Sequence, residues 1–362
     1  MTVWKGFSTI VDEFIDECAE RVRQARITGE PLLVQGSGSK SFYGQACSGS
    51  LLETMGFQGV IDYEPSELIL TARCGTPLFE IEALLASQGQ FLAFEPPSFG
   101  ASATLGGAVA CGLSGPRRAT AGSLRDYLLG VRMIDGQGQD LRFGGQVMKN
   151  VAGYDVSRLM AGAMGTLGLL VEMTLRVMPR PVHERTLSFD LSVTDAVQTM
   201  NRLMASSVPV SATCYVNHRL YLRLSGLPDE LENQGSSLGG DLVCEGEQFW
   251  SSLREQTHAF FQERPLLWRL SVPSPVSLGA LDEHCLIEWA GALRWLGGEY
   301  TAGQIRQAVA AVGGHATLFR GKLEGIPVFH PQPKAIHEIQ RRLKREFDPD
   351  GIFNRFRMAP DF

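Results

Sequence analysis

The sequence predicts an α+β protein of two domains whose end returns to the first. Three observations predict it. At 362 residues with 44% hydrophobic content, the chain exceeds what most single cores hold, so two domains are the default expectation. Short apolar runs bounded by Gly and Pro dominate residues 30–180, with one clear helical pattern among them. Past Pro179 and Pro181 the character changes, and strand-like and helix-like runs alternate up to about residue 330. The expected divisions are residues 1–180, 181–330 and 331–362.

The elements follow in order. Ser8 or Thr9 is placed to cap a helix running to about Arg26, with Val11, Ile15, Ala19 and Val22 at helical spacing and Gly29-Glu30-Pro31 at its end. Leu32–Gln35 reads as a strand, followed by the loop Gly36-Ser37-Gly38-Ser39-Lys40-Ser41. Val60–Tyr63 and Leu68–Arg73 read as strands around a Glu64-Pro65-Ser66 turn. Pro77 suits the first turn of a helix that Gly89 stops. Leu128–Ile134 is an apolar strand candidate, and Leu169–Val177 alternates as another. In the second region, Thr186–Leu191 and Ala212–Leu224 are strand-like. Ala196–Ala205, Glu247–Gln262 and Thr301–Val312 are helix-like, and Gly235–Gly240 is a polar loop. Ala335–Glu346 is a basic amphipathic helix with Ile336, Ile339 and Leu343 on one face and Arg341–Arg345 as a solvated run.

The stretch Phe94–Asp140 organises the rest. After Pro96 and Pro97 it carries Thr104-Leu105-Gly106-Gly107 among small residues, a composition costly to order and poor in apolar burial. It makes sense where backbone lies against something bulky. Exposed amides at Gly36–Lys40 and Leu105–Gly107 suit two phosphates approached from two sides. The first loop is not a Walker A loop, because Ser39 stands before the Lys. It is not a dinucleotide fingerprint either, because Ser41 replaces the third Gly. A pyrophosphate loop between two strands and an ordinary turn both remain open on these residues alone.

Composition sets further bounds. A net charge of −6 argues against a general nucleic-acid surface. Cys18, Cys47, Cys74, Cys111, Cys214, Cys244 and Cys285 are scattered, with no C-x-x-C, so neither a zinc nor an iron–sulfur site is expected. The acidic, amphipathic start does not read as a signal peptide, and no apolar run is long enough for a membrane span.

Three motifs in one order carry a family resemblance: T-L-G-G at 104–107 with Ser114-Gly115 and Gly122-x-x-Arg125-Asp126; Lys149-Asn150-x-x-Gly153-Tyr154-Asp155; and Gly162-x-x-Gly165-Thr166-Leu167-Gly168 with the strand after it. They resemble the PCMH-type FAD-binding domain of the vanillyl-alcohol-oxidase flavoproteins, over about residues 30–180. Phe347-Asp348-Pro349-x-Gly351-x-x-Asn354 resembles that family's closing motif, although Arg355 and Phe356 stand where many relatives have Pro-Gly. Leu267–Pro273 and Trp289–Trp295 resemble the second half of the FAD-binding subunits of bacterial glycolate oxidases.

The resemblance implies a two-part FAD domain, an α+β cap, and a tail packed back on the FAD domain. It implies FAD held through Gly36, Ser37, Gly38, Ser39, Lys40, Pro96, Thr104, Leu105, Gly106, Gly107, Ser114, Gly115, Arg125, Asp126, Gly165, Thr166, Gly168, Val171 and Asn354. Some relatives bond the flavin to a His in the first loop. No His precedes His183, so non-covalent FAD is expected, and Cys111 reads as a small buried residue. Catalytic relatives carry a His-rich cap segment and a metal. Here no two of the seven His stand at ligand spacing, so no metal is expected. His315 is the nearest vestige of a catalytic base, and Arg294 the candidate carboxylate anchor. The implied role is a flavin subunit working on a small 2-hydroxy acid beside a larger flavoprotein subunit and an iron–sulfur subunit. The implied place is the cytoplasm or the inner face of the cell membrane. The alternatives are a self-sufficient 2-hydroxy-acid dehydrogenase and a non-redox subunit that keeps the fold.

Overall fold

The computed structural model describes residues 5–145 and 155–362, with side chains of the opening helix from residue 13 onward. The motif residues Lys149–Tyr154 lie outside the described residues. The opening helix spans Lys5–Thr28, so Ser8 and Thr9 fall within it and not at its start. Its buried face, Ile15, Cys18, Ala19 and Val22, joins the N-terminal core.

The N-terminal strands are β1 (Leu32–Gln35), β2 (Ser50–Glu53), β3 (Val60–Glu64), β4 (Ile69–Arg73), β5 (Gln90–Phe91), β6 (Leu128–Ile134), β7 (Asp140–Gly144), β8 (Leu169–Arg176) and β9 (Met178–Pro179). β1 and β2 form a parallel pair, a partner that sequence reasoning missed. Five strands form an antiparallel sheet in the order β3-β4-β8-β6-β7. Central β8 is buried on both faces, with Leu170 and Thr174 inside as well as the alternating set. Ile81 and Leu85 of the helix Leu78–Ser87 and Val109 of the helix Leu105–Cys111 pack in the same core.

That last helix corrects an expectation. The amides of Leu105–Gly107 are expected to be exposed, but Leu105–Cys111 is helical. Thr104 caps it by accepting from Gly107 N at 3.2 Å, and Gly112 ends it at φ 62°. Glycine disfavours a helix, yet here it permits close packing. A Cβ on Gly106 would stand 2.9 Å from Cys74 Cβ and 3.0 Å from Cys74 O.

The C-terminal half is one antiparallel sheet of eight strands. They are β10 (His183–Asp190), β11 (Val210–Val216), β12 (Arg219–Gly226), β13 (Asp241–Leu242), β14 (Leu267–Ser271), β15 (Cys285–Glu288), β16 (Leu293–Leu296) and β17 (His315–Arg320). The order is β13-β10-β12-β11-β15-β16-β14-β17. One face packs on the helices Val193–Met204, Pro228–Leu238 and Ala302–Ala311. The other packs Cys214, Trp295 and Phe319 against Tyr43, Leu113 and Met164 of the N-terminal half.

Three readings change here. The run Ala212–Leu224 is a hairpin, turning at Asn217 (φ 51°) and His218 (φ 62°). Glu247–Gln262 breaks into Gly246–Arg254 and Ala259–Gln262 around Gln256 at φ 54°. Gly235 belongs to the helix Pro228–Leu238, which Pro228 and the acidic first turn start well enough to carry it.

The last helix, Lys334–Phe347, also departs from its amphipathic reading. Ile336 and Ile339 are 44% and 53% exposed, whereas Lys344, assigned to the solvated run, is buried. After the helix the chain runs beside β1, with Leu32 N donating to Ile352 O at 2.8 Å and Asn354 N to Leu32 O at 3.0 Å.

Candidate cofactor cleft and the domain interface

The end of β1 and the start of the helix Leu105–Cys111 face each other across a cleft. Gly36, Ser37, Gly38, Ser39 and Lys40 line one side, and Thr104, Gly106 and Gly107 the other. Gly165, Gly168 and Asn354 close it. A Cβ on Gly36 would stand 2.5 Å from Thr104 Oγ1, so the two walls approach only because that position is glycine.

The two walls differ in hydrogen bonding. Leu105 N donates to Thr76 O at 2.9 Å, Gly106 N to Cys74 O at 2.8 Å and Gly107 N to Thr104 Oγ1 at 3.2 Å. The Leu105–Gly107 amides are therefore engaged within the chain, and this wall offers clearance more than donors. Among the described residues, the amides of Ser37, Gly38 and Lys40 donate to no acceptor, while Ser39 N makes only a 3.4 Å contact with Ser37 Oγ. Unpaired amides on a turn at the mouth of an apolar cleft suit phosphate oxygens. The residues present thus fit the phosphates of a dinucleotide cofactor.

Lys40 is not solvated. It is 6% exposed, donates to Ser98 O at 3.1 Å, and its ammonium lies 5.8 Å from the Phe99 ring centroid. Burial lowers its pKa against the opposing pull of Cys111 and Glu255. Cys111, expected to be buried, is half-buried and lines the cleft.

Asn354 closes the floor. Its Oδ1 accepts from Val34 N at 2.8 Å and its Nδ2 donates to Met164 O at 2.7 Å. It fastens β1, the Gly165 turn and the tail to one another. Arg357, three residues on, lines the cleft and donates to Ser41 O at 3.0 Å and Gln45 O at 3.2 Å. Sequence reasoning missed Arg357; the departure of this tail from the family's Pro-Gly was its only signal. Gln35, Cys47 and Met164 were missed as well.

Other predicted cofactor residues stand behind the cleft. Pro96, Leu105 and Val171 are buried, and Val171 O accepts from Cys74 N at 2.8 Å. Thr166 Oγ1 donates to Ala163 O at 2.7 Å, and its carbonyl accepts from Lys344. Ser114 Oγ accepts from Leu124 N at 3.0 Å, and Gly115 O accepts from Trp289 Nε1 at 3.0 Å, which places this dipeptide at the domain interface. Asp126 completes a capping box with Ser123. Arg125 lines a separate groove beside Leu343 and Phe362. None of these eight lines the cleft.

Neither catalytic candidate lines the cleft. Arg294 is fully buried on β16. It pairs with Asp282 and donates to Val276 O and Gly291 O, leaving no free face for a substrate carboxylate. His315 is exposed at the start of edge strand β17. Among the described residues, no group of three His, Cys, Asp or Glu could hold a metal ion, and no helix is long and apolar enough to cross a membrane.

The domain interface is tied by charge. Glu95 accepts from Arg223 at 2.8 Å and from Arg117 N at 2.8 Å, and Arg117 also pairs with Glu184. Glu255 accepts from Ser98 N at 3.0 Å and Phe99 N at 2.9 Å.

Residues 13–144 match an FAD binding domain family. The chain is 44% identical to glycolate oxidase subunit GlcE of Escherichia coli over 94% of its length and 95% of that protein's. It is 29% identical to glycolate oxidase subunit GlcD of Bacillus subtilis over 49% of its own length and 38% of that relative's. An alkyldihydroxyacetonephosphate synthase structure shares the fold with a TM-score of 0.63 at 14% identity, over 93% of this chain and 73% of that one. These likenesses, with the glycine-walled cleft, show an FAD-dependent oxidoreductase: the chain belongs to the family of the glycolate oxidase subunit GlcE, within the PCMH-type FAD-binding flavoproteins.

Proposed function

We propose that the chain is the FAD-binding subunit of a glycolate oxidase. It takes part in oxidising glycolate to glyoxylate beside a larger flavoprotein subunit, and electrons pass on to a separate iron–sulfur subunit. The observation that carries this reading is 44% identity to a glycolate oxidase subunit across nearly the whole of both chains. The cleft supports it. Bound FAD supplies a two-electron acceptor that can release electrons singly. The residues of this chain bind and position it: the Ser37–Lys40 amides for the phosphates, Gly36 and Gly107 for clearance, and Lys40 for positive charge at the inner end.

The candidate catalytic side chains of this chain support a division of labour with other subunits. Arg294 is consumed by Asp282, and His315 stands away from the cleft. The cysteines are dispersed along the chain. The complex is assigned to the cytoplasm or the inner face of the cell membrane. The test is anaerobic addition of glycolate to the purified chain, then to the chain with its partner subunits. Flavin bleaching only in the mixture is expected. Bleaching of the isolated chain at catalytic rates would make it a self-sufficient dehydrogenase.

A further inference from the structure

Two lysines are buried among the described residues, Lys40 and Lys344, and they are served differently. Lys344 spends its three ammonium hydrogens on Asp348, Thr166 O and Phe353 O. Lys40 lines the cofactor cleft and spends one, on Ser98 O at 3.1 Å, with the Phe99 ring centroid 5.8 Å away. Among the described residues it makes no ion pair. An ammonium has three donors and no acceptor, and taking it out of water without a counter-charge is costly. Two donors of a cation only 6% exposed are left for whatever fills the cleft.

The acid that acts on Lys40 is Glu255, and it is spent elsewhere. Its Oε2 accepts from Ser98 N at 3.0 Å and Phe99 N at 2.9 Å, and its Oε1 pairs with Arg254 at 2.9 Å. Glu255 thereby holds Phe99 at φ 51°, a conformation costly for a bulky residue. Backbone kept in that state fixes the carbonyl to which Lys40 donates.

The ammonium also stands apart from the phosphate-facing amides. The backbone N–H of Lys40 belongs to the Ser37–Lys40 turn, but a four-carbon stem carries the charge away from it. At the end of that stem the ammonium acts on Cys111, the last residue of the helix Leu105–Cys111. The helical rise puts Cys111 about 10 Å from Thr104, the residue that faces Gly36 at the turn. The unpaired charge is therefore at the opposite end of the helix from the glycine wall.

We propose that the Lys40 ammonium faces the isoalloxazine ring of FAD and not its phosphates, and that it raises the reduction potential of the flavin by favouring the negatively charged reduced ring. The proposal rests on the assignment of the cleft to FAD and deepens it. Two electrons and one proton, supplied by the hydroxy acid in the complex or by dithionite in the test, turn the neutral oxidised ring into an anion. A cation fixed beside it in a water-poor cleft lowers the free energy of that product and leaves the neutral form nearly untouched. Glu255 acts through Ser98 and is a positioning residue.

The test compares the purified FAD-loaded wild type with Lys40→Met and Lys40→Arg in midpoint potential, sulfite affinity and FAD affinity. Sulfite uses its sulfur lone pair to bond to ring nitrogen N5, and the displaced electron pair remains as negative charge on the ring, so it reports the same cation without any turnover. Lys40→Met should weaken sulfite binding about tenfold or more and lower the potential to match, tenfold being about 30 mV for a two-electron couple. Lys40→Arg should keep most of both. Weaker FAD binding in Lys40→Met, with potential and sulfite affinity unmoved, would place the cation on the phosphates and overturn the proposal. Should Lys40→Met not fold, Lys40→Gln takes its place, and a wild-type chain that binds sulfite no more tightly than free FAD overturns the proposal without any variant. A chain that takes up no FAD overturns the cofactor assignment and this proposal with it, whereas bound FAD with an unchanged potential in Lys40→Met overturns this proposal alone.

Discussion

Lys344 Nζ and Asp348 Oδ2 lie 2.6 Å apart, one helical turn from each other and both buried. Lys344 also donates to Thr166 O at 2.7 Å and Phe353 O at 3.0 Å. Asp348 accepts from Ile352 N at 3.0 Å and Phe353 N at 2.9 Å. The pair therefore fixes the tail at the point where it runs beside β1 and delivers Asn354 to the cleft floor. Removing one partner leaves an uncompensated buried charge, a loss of about 3–5 kcal/mol. Lys344→Met or Asp348→Asn should lower stability by that amount in urea unfolding, and flavin should be lost before the sheet unfolds. A double variant, Lys344→Met with Asp348→Leu, should lose less than either single change. Equal or greater loss in the double variant would show that the charges are not coupled.

Gly106 and Gly107, adjacent in sequence, should respond differently to a side chain. A Cβ on Gly106 meets Cys74, so Gly106→Val should fail to fold. A Cβ on Gly107 meets only Thr104 Oγ1 at 3.2 Å, and the position lines the cleft. Gly107→Val should fold but crowd the cofactor, and an overpacking cost of about 1–3 kcal/mol corresponds to about ten- to hundredfold weaker binding. Flavin absorbance per chain, beside a melting curve, separates the two outcomes. A folded Gly107→Val with wild-type affinity would take this wall out of the FAD site.

Much of this was legible in the sequence, and the rest was hidden for identifiable reasons. Strands such as Leu32–Gln35 and Leu128–Ile134 were legible because apolar runs end at Gly or Pro. The cleft was legible because glycines mark close approach. The helix Leu105–Cys111 was hidden, since its glycines argue against helix until the packing on Cys74 is known. Lys344 was hidden because a basic run shows nothing of which member a distant carbonyl will accept from. Arg294 misled because an arginine between Leu293 and Trp295 looks equally suited to substrate or to a buried carboxylate, and Asp282 lies 12 residues away in sequence.

The flavin should be released intact by acid precipitation. Among the described residues, the cysteines that line the cleft are Cys47, Cys74 and Cys111. Burial pushes the Cys111 thiol up, against the lowering effect of Lys40 and Arg357, and pushes Cys74 up to about 12. Thiols, unlike thiolates, are poor nucleophiles. Flavin retained in the washed precipitate, with a shifted mass on a Cys47 or Cys111 peptide, would contradict this.

Glu288 should make the stability of the folded chain depend on pH. Its carboxyl is raised to about 7 by burial, helped by Glu95 and opposed by Trp295, Arg269 and Arg223, from an ordinary value of 4.5. The folded state therefore holds this proton more tightly than the unfolded state. Below 4.5 both states are protonated and the group is neutral in the balance. As pH rises from there to about 7, unfolding releases the proton and stability falls. Above about 7 both states are ionised, and the loss is complete at on the order of 3 kcal/mol. Glu288→Gln keeps an oxygen to accept from Trp295 Nε1 and removes the titration. The wild type should lose stability relative to this variant across that window, read as diverging melting temperatures, and the two should run parallel at more acid pH. Parallel curves throughout the window would mean that the Glu288 carboxyl ionises at its ordinary value.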